Sequence, residues 1–235
     1  MTPDSSASAG SAPAPGGPAT DTYFTLSPTL VAMESPAKTP PAVAVHEIAA
    51  QLIAQQVDRG RRGVAVCAPN RGAGTSLVAA NLAIAIAQAG VSVLLVDGNL
   101  HEATLETLIA PNVAVPGLQQ VLRDPDLHPE DAIQHDIMPG LSVLFAGGAC
   151  ADASELIGSV RCGELIDGLQ RNYNYVVVDT PPANRSPDTR RLASYIGYGL
   201  IVARRARTYV DDVTTLAGEL AQDRAEVIGT IFNEA

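Results

Sequence analysis

The sequence predicts an α/β fold: a single domain on a doubly wound, mostly parallel sheet. Three observations predict it. Short continuous apolar runs alternate with segments of helical spacing, as strands buried on both faces of a parallel sheet do. A glycine-rich turn, Arg71-Gly72-Ala73-Gly74-Thr75-Ser76, joins the first of these runs to a helix-forming stretch. Two aspartates, Asp97 and Asp179, stand at the ends of two further runs, and ligands of such folds bind at the carboxyl ends of strands.

The elements follow in order. His46 to Val57 has helical spacing, with Ile48, Leu52, Ile53 and Val57 apolar, and Arg59-Gly60-Arg61-Arg62-Gly63 ends it. Val64 to Cys67 is a strand feeding the glycine turn. Leu77 to Ala89 is a helix, apolar nearly all round as a helix packed on a sheet can be, and Gly90 suits its C-cap. Val91 to Val96 is a strand that delivers Asp97. Leu118 to Leu122 is a short helix after Pro116-Gly117, and Leu141 to Phe145 a strand ending in Ala146-Gly147-Gly148. Ser154 to Leu169 is helical. Tyr175 to Val178 is a strand ending in Asp179-Thr180-Pro181-Pro182. Pro187 to Tyr195 is a helix, Gly199 to Ala203 a strand, Val210 to Ala221 a helix and Val227 to Phe232 the last strand.

Composition sets the bounds. Of 235 residues, the first 41 are rich in Pro, Ala, Ser, Gly and Thr. Such a segment is expected to be a disordered tether, because it cannot bury enough surface to offset its ordering entropy; its removal should leave thermal stability unchanged. It has no charged region followed by an apolar one, so it does not read as a secretory signal. Residues 42–235 suffice for one domain with its own core. No apolar run approaches the ~18 residues that a membrane span needs. Cys67, Cys150 and Cys162 are scattered without C-x-x-C spacing, which disfavours a zinc or iron–sulfur site and suits a reducing cytosol. The formal net charge of −10 disfavours nucleic acid as a partner. Arg204, Arg205 and Arg207 form a local exception after the run Leu200 to Ala203. They read either as a solvated strand end or as a patch for an acidic partner or phosphate.

Strand, glycine turn and helix together form the context of a phosphate-binding loop. The glycines let backbone N–H groups face a phosphate, and the helix N-terminus adds partial positive charge. The usual motif ends Gly-Lys-Ser/Thr; here it ends Gly74-Thr75-Ser76, and the only lysine of the chain is Lys38. The plan is that of a P-loop nucleotide hydrolase without the main cation of its site. Arg71 is the one cation in the loop and the one candidate there to reach a phosphate.

Several ordered motifs now make a resemblance specific. Val64 to Glu102, Pro116 to Leu122, Ala146 to Leu156 and Tyr173 to Asp188 resemble the cytoplasmic domain of bacterial tyrosine kinases (BY-kinases), deviant P-loop ATPases that accompany capsule or exopolysaccharide export. The stretches ANLAIAIAQAGVSVLLVDGNL, PGLQQVL, GGACADASELI and YNYVVVDTPP fall in family order at family-like spacing. The resemblance implies ATP or ADP and Mg²⁺ as cofactors. It places Gly72, Ala73, Gly74, Thr75, Ser76 and Leu77 in the phosphate loop, with Ser76 as a Mg²⁺ ligand. It implies that Asp97 lies near Mg²⁺ and the attacking group, and that Asp179 is the Walker B carboxylate. Asp188 matches a recurring aspartate, or is a helix cap; Asn233 matches an asparagine that reads adenine, or is a terminal polar residue. Asp97 and Asp179 have a plainer reading as strand-end turn formers.

The departures are as specific as the matches. Thr75 replaces the loop lysine, Asn99 the second carboxylate of the Asp-x-Asp motif, and His101 the usual arginine. The family's oligomerisation helix carries Glu-x-x-Arg-x-x-Arg; Glu47, Ala50 and Ile53 stand at that spacing. A homo-oligomer is compatible with the resemblance, but not the ring in which neighbours phosphorylate one another. The last tyrosine is Tyr209, so the family's C-terminal tyrosine cluster is not found before Ala235. Removing one preorganised stabilising donor costs ~10²–10³ in rate, and a lysine carries a full charge. The expected function is therefore that of a degenerate member, a pseudokinase or weak ATPase. It would be cytoplasmic, peripheral at the inner membrane, and would act through a membrane-anchored regulator of polysaccharide chain length. An active kinase or ATPase with an unusual loop is the first alternative, supported by Ser76, Asp97 and Asp179. A positioning or partitioning ATPase is the second. The acidic charge, the lack of a terminal basic amphipathic helix, and Asn70 and Arg71 where an extra lysine is typical all weigh against it.

Overall fold

Burial on two faces makes the central strands uniformly apolar, and the alternation of their side chains divides the core. The computed structural model of the chain describes residues 23–33 and 39–234. In chain order the elements are β1 (Phe24–Leu26), α1 (Pro40–Gln55), β2 (Gly63–Ala68), α2 (Thr75–Gln88), β3 (Val93–Asp97), α3 (Leu105–Leu108), β4 (Ile109–Pro111), α4 (Leu118–Arg123), α5 (Pro129–Ala132), β5 (Gln134–Met138) and β6 (Leu141–Leu144). There follow α6 (Ala153–Ile157), α7 (Val160–Asn172), β7 (Tyr175–Pro182), α8 (Asp188–Ile196), β8 (Tyr198–Arg204), α9 (Val210–Gln222) and β9 (Glu226–Asn233). Seven strands form one sheet in the order β5-β6-β3-β7-β2-β8-β9. All neighbours are parallel except β5, which pairs antiparallel with β6 at one edge.

Val64, Val66, Val93, Leu95, Tyr175 and Val177 point to the face covered by α1 and α2. Leu94, Val96, Val176 and Val178 point to the other face, against α4, α6, α7 and α8. Ala65 and Cys67 meet Ala193 of α8 and Leu216 and Leu220 of α9. The doubly wound parallel sheet expected from the apolar runs is thus the fold observed. Cys67 and Cys162 are free thiols inside this core, and burial pushes both up to about 12.

Three expectations need correction. Residues 23–33 do not lie outside the fold. β1 pairs antiparallel with β4, Phe24 stacks on Phe145, and Leu30 and Ala32 are buried. The backbone of Ala32 is held by two side chains of α2. Its N–H donates to Asn81 Oδ1 (2.8 Å), and its carbonyl accepts from Gln88 Nε2 (2.9 Å). Tyr23, Phe24, Leu26, Leu30 and Val31 cluster within a segment whose average composition is polar and small. Thr39, which accepts from the Ala42 amide, caps α1 ahead of Pro40 and Pro41, so that helix begins well before His46. Residues 1–22 and 34–38 lie outside the described residues.

Second, the helix expected over 154–169 is two. Gly158 closes α6, and the Ser159 hydroxyl accepts from the Cys162 amide to start α7. A Cβ at Gly158 would lie 2.6 Å from Arg191 Nη1, so the break is also where α8 packs closely. Third, α2 is capped by Ala89, and Gly90 takes the left-handed turn after it (φ +88°). The short elements β1, β4, β5, α3 and α5 carry no periodicity to read. Among the described residues, no helix is long and apolar enough to cross a membrane.

Candidate functional site

β2 lies between β7 and β8, so the turn that follows it opens at the centre of the sheet's carboxyl edge. Gly72 (φ +79°) and Gly74 (φ +86°) take left-handed conformations that a side chain resists. A Cβ on Gly74 would lie 2.2 Å from Asn233 Nδ2. That nitrogen donates to the Ala73 carbonyl (2.9 Å), and Arg204 Nη1 donates to the Gly72 carbonyl (3.0 Å). Thr75 and Ser76 are the first two residues of α2, where helical N–H groups have no partner within the helix. Leu77 packs partly against the core beneath the loop, and its carbonyl accepts from Asn81 Nδ2.

The two strand-end aspartates meet. Asp97 of β3 and Asp179 of β7 are paired across the ladder, and both are fully buried. One Asp97 oxygen accepts from the Asn99 amide (3.0 Å) and the other from the Leu105 amide (3.1 Å). Burial still pushes Asp97 up to about 7, with the nearby Glu106 carboxylate adding to the rise. Among the described residues, neither oxygen of Asp179 has a hydrogen-bond partner. Burial first, and then the Asp97 charge, hold it well above the usual carboxylate range; the Ser76 hydroxyl opposes the rise without closing a hydrogen bond to either oxygen. A buried carboxylate beside a second one is costly unless a proton or a cation joins it. Two carboxylates and a hydroxyl are hard oxygen donors of the kind Mg²⁺ takes. The residues fit the ion.

The remaining polar groups settle around this pair. Asn99 is buried, and its side-chain oxygen has no partner among the described residues. His101 Nε2 lies 2.8 Å from Asp188 Oδ2, which also accepts from Ser154 Oγ (2.9 Å). Asp188 is not the helix cap: Pro187 holds that place, and the Asp188 side chain turns inward, fully buried. The Arg71 guanidinium pairs with Glu102 at 3.0 Å, largely in solvent. In the arginine patch, Arg205 pairs with Glu234 (2.6 Å), and Arg204 sits behind the loop.

Sequence reasoning missed Arg204 as a loop contact and missed Glu106, which accepts from the amides of Gly147 (3.1 Å) and Gly148 (3.0 Å). It also missed Asn70, which ties the loop to α9 through Asp212 (2.6 Å) and accepts from Asn184 (2.9 Å). The one available signal was position: Arg204 ends an apolar run at the same sheet edge as Asp97 and Asp179.

Comparison with known proteins bears on the family and the fold. No protein-family model matches the chain. The putative tyrosine-protein kinase EpsB of Ralstonia nicotianae is 34% identical over 176 residues, 75% of this chain and 23% of EpsB. Tyrosine-protein kinase YwqD of Bacillus subtilis is 30% identical over 177 residues, 75% of this chain and 74% of YwqD. The chain thus spans about a quarter of the length of EpsB and about three quarters of YwqD. Among solved structures, the chimerical protein CapA2B2 superimposes with a TM-score of 0.77 at 29% identity, covering 88% of this chain and 90% of that one. The septum site-determining protein MinD of Pyrococcus horikoshii, solved with Mg-ADP, shares the fold (TM-score 0.60, 22% identity, 73% of this chain and 70% of MinD).

Proposed function

The chain belongs to the bacterial tyrosine-protein kinases, and from that premise we propose that it is a degenerate member: a weak Mg-nucleotide binder whose work is binding rather than phosphoryl transfer. One observation carries the reading. The loop lysine is replaced, and the guanidinium groups of Arg71 and Arg204 each engage a protein partner. Thr75 stands at the lysine position, Arg71 is paired with Glu102, and Arg204 approaches a loop carbonyl from behind. Phosphoryl transfer depends on positioning and on cations around the transferred group. What this chain retains is the loop backbone, the start of α2, and the oxygen set of Ser76, Asp97 and Asp179. Those groups can hold the phosphates and Mg²⁺ of a nucleotide. The metal, when bound, would supply charge neutralisation at the phosphates. Asn99 in place of a second carboxylate, with no donor on its oxygen, weakens the machinery further.

The partner proposed is a membrane-anchored regulator of polysaccharide chain length. That would place the domain in the cytoplasm, peripheral at the inner membrane, in exopolysaccharide or capsule export. Family membership supports this reading.

The buried Asp179 carboxyl favours a second reading, an active ATPase with an unusual loop, because a bound cation would offset the cost of its charge. Turnover separates the two. Purified protein with Mg-ATP is expected to release phosphate at the background rate. Magnesium-dependent release that Asp179→Ala abolishes would overturn the degenerate reading.

A further inference from the structure

Two hydrogen bonds behind the loop have a consequence in front of it. A peptide unit is planar and trans, so its carbonyl and the following N–H point in opposite directions. The Gly72 carbonyl is held by Arg204 Nη1 and the Ala73 carbonyl by Asn233 Nδ2. Those bonds fix the two peptide planes and turn the N–H groups of Ala73 and Gly74 away from β8 and β9. The two amides donate to no group among the described residues. Arg204 and Asn233 are opposite each other in the β8–β9 register, so a single rung holds both carbonyls. The fit is close: Asn233 Nδ2 occupies the place that a Cβ on Gly74 would need. With no lysine at position 75, backbone amides are most of what the loop can offer a phosphate, and their aim counts for more.

We propose that Arg204 and Asn233 are positioning residues that clamp the loop carbonyls from behind and so preset the amides of Ala73 and Gly74 for the phosphates of a nucleotide. On this account Arg204 acts through the loop rather than on the phosphate, and Asn233 acts on the phosphate end rather than by reading a base. The proposal rests on the reading of the site as one for Mg-nucleotide.

The test is calorimetric titration of the full chain with Mg-ADP and with Mg-pyrophosphate, which has no base. Arg204→Met and Asn233→Ala should each raise both dissociation constants about tenfold, the order expected for one lost positioning hydrogen bond to a charged-group site. Arg204→Lys, which keeps an N–H donor, should recover most of the loss. The melting temperature of the ligand-free variants should stay near that of wild type, which a merely structural role would not allow. Loss of Mg-ADP binding with pyrophosphate binding intact would make Asn233 a base reader and overturn the clamp. So would variants that bind both ligands as wild type does, in which case the nucleotide reading survives alone. If wild type takes up neither ligand, both readings fall together.

Discussion

At the scale of single residues, the site holds more unfavourable charge than the rest of the core would tolerate. Asp97 and Asp179 are both raised above their ordinary value of 3.8, Asp97 to about 7. A carboxyl whose folded value is raised binds more protons in the folded state than in the unfolded one between those limits. Stability of the metal-free protein should therefore fall as pH rises from about 4 to about 7. Thermal melts in chelator should show that slope, and Asp97→Asn should make it shallower. A profile in wild type that is level across this window would contradict the burial argument. Gly74→Ala should lower stability by about 1 kcal/mol or more through its left-handed φ alone, and should weaken Mg-ADP binding by displacing Asn233; denaturant unfolding and titration check the two effects separately. The aspartates were legible because each ends an apolar run. Arg204 was not, because its partner, the Gly72 carbonyl, lies 132 residues away in the chain and has no side chain to announce it.

At the scale of elements, the N-terminal segment is the main surprise. Leu30 and Ala32 seal the side of α2 away from the sheet, with Asn81 and Gln88 holding the backbone between them. Leu30→Ala should cost about 2–5 kcal/mol, the range for a leucine lost from a packed core. Urea unfolding would measure it, and a loss below ~1 kcal/mol would mean that the segment is only draped on the surface. The break between α6 and α7 makes a milder prediction: Ser159→Ala should cost about 1 kcal/mol as a lost N-cap. Long apolar strands and the helices between them were readable because their period is strong. The short pieces β1 and β4 were not, since three residues each carry no period, and their pairing depends on contacts that sequence does not display. The break at Gly158 was hidden by an apolar spacing that runs on across it.

At the scale of the whole molecule, the parallel sheet does the positioning. Its order sets β3, β7 and β2 side by side, and their carboxyl ends bring Asp97, Asp179 and the loop to one edge. That convergence follows from topology, so it was predictable once the strands were. What the sequence showed less well is how the missing lysine is left: the Arg71 and Arg204 guanidinium groups are tied to Glu102 and to a loop carbonyl. The central claim is that this scaffold can still hold a nucleotide and that the missing loop cation is what weakens its binding. Calorimetric titration of the full chain with Mg-ATP and Mg-ADP, beside Thr75→Lys, tests it most directly. Wild type should bind weakly, and the lysine variant at least about tenfold more tightly, as a restored charge-assisted contact to phosphate requires. Equal affinity in the two proteins would contradict the claim and show that the loop never depended on a cation at that position.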